Sequence, residues 1–247
     1  MRIASWLAML ALLPATAGAA PAINLFWNDC GYGGGASNLN DACTMSFGPP
    51  HKLVVSIVAD DPITGVTAAH GAVDIQFDAA VTPDYWMMQP GGVRAGAVLI
   101  DPFIGSANGP YSCDEPWSQV GEQVGAVEYT LGSHPNRVRI YWSVTVPAPV
   151  TIGPPEGVDW YLAALNFLRP GTTTATGCTT PACFTFGQVV LARAAGDLTV
   201  CTPALAQHVT WQGGGTVNCP PFQHWVECPI ATPVQENTWG QIKQLYR

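Results

Sequence analysis

The side chains able to do chemistry in this chain are five histidines, seventeen aspartates and glutamates, and eight cysteines. No G-x-S-x-G elbow presents a serine at a strand-to-helix turn. None of His51, His70, His134, His208 and His224 sits in a motif that pairs it with Ser or Cys. Glycoside hydrolysis needs two carboxylates about 5–10 Å apart across a cleft. Asp60, Asp61, Asp74, Asp78, Asp114, Glu115, Glu128 and Asp159 are the candidates. Asp74 and Asp78 fall on the wet side of an alternating strand, and Asp61 precedes Pro62 in a turn, so surface or turn duty accounts for them. Gly31-Tyr32-Gly33-Gly34-Gly35-Ala36 fits G-x-G-x-x-A in form. A dinucleotide site also requires a βαβ context, and none follows. The segment reads as a loop between two cysteines.

Two binding chemistries remain. Loop oxygens of Asp and Asn suit a structural Ca²⁺, and Asp41, Asp101 and Asp114 supply them, although no EF-hand spacing is present. Asx turns compete for the same residues. Exposed aromatic faces suit sugars. Trp142 points inward by its alternation and Trp239 by helical spacing. Trp86, Trp117 and Trp225 lie in turn-rich contexts and are the candidate stacking platforms. The alternative is that these tryptophans pin loops to the core.

The elements that would position such groups are strands. Val138, Ile140, Trp142, Val144 and Val146 alternate with Arg139, Tyr141, Ser143 and Thr145, and Val73, Ile75 and Phe77 repeat the pattern. Period two buries one face of a strand and wets the other. Further strands are expected at Ile23–Trp27, Leu53–Val58, Ala95–Ile100, Val124–Leu131, Trp160–Phe167, Phe184–Ala192, Leu198–Cys201 and His208–Trp211. Pro- and Gly-rich turns separate them. About ten short strands with this punctuation predict an all-β sandwich, immunoglobulin-like or jelly-roll. A short C-terminal helix is expected over Trp239 to Tyr246, capped by Asn237 or Thr238.

Met1-Arg2, the apolar run Ile3 to Leu13, and the small residues ending at Ala19 have the layout of a secretory leader, cleaved after Ala19. The run is too short to span a bilayer, which takes about 20 apolar residues. Residues 20–247 then form one domain that is secreted or periplasmic, with no membrane insertion. Its acidic balance, −8 over the whole chain, disfavours nucleic acid as a partner. Cys30, Cys43, Cys113, Cys178, Cys183, Cys201, Cys219 and Cys228 all follow the leader. An even count in an exported chain implies disulfides. Short loops favour Cys30–Cys43 and Cys178–Cys183, with Cys201–Cys219 next. No C-x₂-C pair or finger-like His offset suggests zinc.

Three segments stand out together: Asn24-Leu25-Phe26-Trp27-Asn28-Asp29-Cys30-Gly31, Val209-Thr210-Trp211-Gln212-Gly213-Gly214, and Thr238-Trp239-Gly240-Gln241-Ile242-Lys243-Gln244-Leu245-Tyr246-Arg247. They resemble a group of uncharacterised secreted bacterial proteins. The resemblance implies an exported β-rich fold and supplies no catalytic residue. The sequence thus points to a non-enzymatic structural, adhesive or binding protein without a resident cofactor, its partner a polysaccharide or a cell-surface protein. A carbohydrate-binding module and a secreted hydrolase, its site assembled only in the fold, are the alternatives.

Overall fold

The computed structural model describes residues 22–30, 39–43, 47–59, 61–103, 113–153, 158–170, 175–201, 208–213 and 219. The expected leader, the expected C-terminal helix, Trp225 and Cys228 lie outside them. The alternating runs form strands: β1 (Ala22–Trp27), β2 (Asn40–Asp41), β3 (His51–Val58), β4 (Ile63–Phe77), β5 (Val98–Asp101), β6 (Val124–Leu131), β7 (Arg137–Ile152), β8 (Asp159–Phe167), β9 (Ala182–Arg193), β10 (Leu198–Cys201) and β11 (His208–Trp211). Two 3₁₀ turns, Asp84–Trp86 and Trp117–Gln119, punctuate them.

The strands build a β-sandwich. One sheet has the order β1-β3-β8-β5, antiparallel throughout. The other has the order β2-β11-β9-β4-β7-β6, with β10 beside the far half of β9. Its pairings are antiparallel except the short β2–β11 contact. β3 and β8 are buried on both faces, as their continuous apolar runs require. β7 keeps strict alternation, with Val138, Ile140, Trp142 and Val144 inward. Gly71 faces Trp142 across the β4–β7 pair. A Cβ there would lie 2.8 Å from the Trp142 ring and 3.0 Å from Phe186, so the missing side chain makes room for the stacked pair Trp142–Phe186.

An aromatic cluster joins the two sheets. Trp27 of β1 and Phe167 of β8 meet Phe184 of β9 and Trp211 of β11. Trp86 enters from its 3₁₀ turn and touches Phe77, Phe167, Phe184 and Trp211 with ring centroids 5.3–5.6 Å apart. Its turn is tied down by Arg94, which lies over the Tyr85 ring and donates to the carbonyls of Tyr85 and Leu168. The Tyr129 hydroxyl donates to the Trp86 carbonyl.

The disulfides join distant parts of the chain. The bridges are Cys30–Cys113, Cys43–Cys178 and Cys183–Cys219, with Cα–Cα separations of 5.8, 5.7 and 5.0 Å. Cys201 is disulfide-bonded as well. These pairs replace Cys30–Cys43, Cys178–Cys183 and Cys201–Cys219. The local expectation weighed loop length alone, whereas sheet pairing sets which cysteines meet.

Candidate functional site

Two of the three tryptophans expected as sugar platforms, Trp86 and Trp117, belong to the interior. Trp86 and Trp117 are each 0% exposed. Trp86 fills the aromatic cluster, and Trp117 donates its indole N–H to the Leu162 carbonyl at 3.0 Å. Neither presents a ring face to a ligand. Turn-rich sequence marked them as loop residues, but both rings fold inward. The three aspartates considered for Ca²⁺ do separate work. Asp41 bonds His51 and the Ala42 N–H. Asp101 accepts from the Phe103 N–H. Asp114 bridges β8 through its backbone, to Asp159 and Tyr161. Among the described residues no group of three or more His, Cys, Asp or Glu is placed to hold a metal ion.

Asp41 and His51 form a pair that sequence spacing did not reveal. His51 Nδ1 lies 2.9 Å from Asp41 Oδ2, and its ring stands edge-on to Trp211 at 4.6 Å. Burial alone would raise the Asp41 pKa. The His51 hydrogen bond, the Ala42 N–H, the His51 charge and the Asn28 amide outweigh it and lower the carboxyl below its ordinary 3.8. A His–carboxylate pair suits general-base work by type, but His51 is only 3% exposed. It holds β2 to β3 rather than facing a substrate.

Four polar side chains that meet solvent, His70, Glu128, Tyr141 and Ser143, lie together on the outer face of β4, β7 and β6. Opposed residues in an antiparallel pair share a face. One outer row is Ala126–Ser143–His70 and the next begins Glu128–Tyr141. Between them runs the inward-pointing row Val127–Trp142–Gly71, which shows only backbone outward. The result is a groove of about 450 Å³ crossing three strands, walled by those rows and floored by main chain. Strands are about 4.8 Å apart, so the groove is roughly 10 Å long. Tyr141 is 38% exposed. Glu128, Ser143 and His70 line the groove, and none has a hydrogen-bond or ion-pair partner among the described residues.

The row beyond fixes the groove wall. Asp74 and Arg139 form a bidentate pair, both contacts at 2.5 Å. The Asp74 hydrogen bond raises the Arg139 pKa, against the cost of burial. Arg139 also reaches over the Tyr141 ring. Asp74 is therefore nearly buried and paired, not a free wet-face carboxylate. Ser143 directly opposes His70, and the two types together suggest a nucleophile and base. Among the described residues no hydrogen bond joins them. β4 and β7 beneath the groove are interior strands paired on both sides, and among the described residues β6 is paired with β7 alone. The outward positions of Tyr141 and Ser143 were legible in the β7 alternation. Their meeting with His70 and Glu128 depends on register.

No family model and no curated protein matches this chain. Solved cohesin modules do. One, from a family 33 glycoside hydrolase of Clostridium perfringens ATCC13124, is 11% identical over 78% of this chain and 93% of that one, with a TM-score of 0.28. Another is the second type II cohesin module of the adaptor ScaA scaffoldin of Acetivibrio cellulolyticus. It is 14% identical over 74% of this chain and 90% of that one, with a TM-score of 0.34. Likenesses of that order bear on neither activity nor partner.

Proposed function

We propose that this chain is an exported binding protein whose recognition surface is the groove across β4, β7 and β6. The observation that carries the reading is the groove itself. It holds three polar side chains with no described partner, on a wall pre-set by Asp74 and Arg139. Rigid, preorganised surfaces lose less entropy on binding. Export is supported by the leader at the N-terminus and by disulfides, which persist in oxidising compartments. Among the described residues no helix is long and apolar enough to cross a membrane. Cleavage after Ala19 would remove Arg2 and take the formal charge from −8 to −9.

The test compares the oxidised protein with Ser143→Trp, which fills the groove from an outward-facing position. Both are passed over immobilised polysaccharides and over basic and acidic protein surfaces, with product analysis on the same samples. A saturable interaction lost in Ser143→Trp is the expected result. Equal binding by both forms would remove the groove from consideration, and released products would move the protein to the hydrolases.

A further inference from the structure

Resting on that reading, we infer that the groove takes a lysine or arginine side chain, presented by an extended segment of a partner protein lying along β6. The groove opens at β6, the last strand of its sheet. Among the described residues no strand pairs with the outer edge of β6, and an open edge is a template for another strand. Ile100 and Pro102 back Gly125 from the inner side, so among the described residues the edge and the outer face of β6 are uncovered. Val124 and Leu131, at the two ends of β6, are 63% and 53% exposed. They offer apolar contacts at both ends of an added segment.

Charge selects the occupant. A strand added to β6 puts every second side chain on the outer face. The side chain opposite Glu128 therefore stands at the groove mouth, and Tyr141 is the next residue in that row. With strands about 4.8 Å apart, a long basic side chain passing Glu128 reaches the Tyr141 ring. A carboxylate followed by an aromatic face is the pairing that a cation requires. Arg139, which lies over the Tyr141 ring at 5.8 Å, is neutralised by its bidentate pair with Asp74, so an incoming cation would share that ring with it and meet the Glu128 carboxylate first. The chain as a whole carries −8, which steers basic partners toward it and repels acidic ones. A neutral glycan would draw nothing from that field.

The experiment uses the full oxidised protein and three probes, read by titration calorimetry. They are an end-blocked octapeptide of alternating lysine and threonine, its glutamate–threonine counterpart, and cellohexaose. The lysine peptide is expected to bind saturably and to weaken as salt rises. Glu128→Gln should weaken it about three- to fivefold, and Tyr141→Leu about two- to fivefold. Asp197→Asn removes the same charge from an exposed turn and should change nothing. Thermal melts confirm that each variant folds. The inference is overturned if the lysine peptide does not bind, or if Glu128→Gln and Asp197→Asn weaken it equally. If cellohexaose or the acidic peptide binds instead, and Ser143→Trp abolishes that, the groove stands and the cationic occupant falls. If Ser143→Trp changes no interaction, the groove falls too.

Discussion

At the scale of single residues, the least visible feature of the sequence is the pair Asp41–His51. Ten positions separate them, and neither sits in a recognisable motif. Asp41 was legible only as a loop oxygen, because its partner is chosen by the placement of β2 against β11. The pair has a pH signature. Asp41 is lowered from 3.8, so its unfolded form takes up a proton first as pH falls. Its contribution is present above about pH 4 and is lost as pH drops through the folded value. Asp41→Asn should therefore lower the melting temperature near neutrality, and the gap to the unaltered protein should shrink below pH 4. A gap that stays constant down to pH 2 would show that the carboxylate charge is not what stabilises the pair. The groove residues were half legible by the same logic. Alternation in β7 placed Tyr141 and Ser143 outward, but no local pattern says which residue of another strand stands opposite.

Among the elements, strands were read with near-correct bounds wherever alternation or a continuous apolar run was long. β4 begins at Ile63 rather than Val73, since Thr64, Gly65, Thr67, Ala68 and His70 dilute the pattern without ending the pairing. The two-residue β2 carries no periodic signal at all. The turn Asp84–Trp86 departs furthest from what its sequence context suggests. Its neighbours Pro83, Pro90, Gly91 and Gly92 mark a surface turn correctly, yet Tyr85 and Trp86 point into the sandwich. The turn works as a plug. Trp86→Ala should cost about 3–5 kcal/mol of stability, the range for removing a buried large aromatic, measured by urea unfolding. Ligand binding at the groove should be unchanged after correction for the unfolded fraction. Loss of binding with intact stability would return Trp86 to the binding surface.

For the molecule as a whole, the sandwich was legible and its strand order was not. Between successive described strands the chain changes sheet at seven of ten connections, and only β6–β7 and β9–β10 are hairpins between neighbours. Composition and periodicity report what a strand buries, not which strand lies beside it. The covalent frame follows the same geometry. The bridges close separations of 83, 135 and 36 residues, and in the chain-entropy account a loop of about 100 residues restricts the unfolded chain by about 4.7 kcal/mol.

That frame also sets an order of events. A chain entering an oxidising compartment N-terminus first exposes Cys30 and Cys43 together, long before Cys113 and Cys178 arrive. The nearest thiol is then the wrong one, and a bond made on arrival has to be exchanged later through a mixed disulfide. Reduced, unfolded protein reoxidised alone should pass through a Cys30–Cys43 species, visible by peptide mapping, and a disulfide isomerase should speed its disappearance. Direct appearance of Cys30–Cys113 at a rate the isomerase does not change would refute this. If the prediction holds, the yield of finished protein depends on the reshuffling capacity of its compartment rather than on how fast the chain is made.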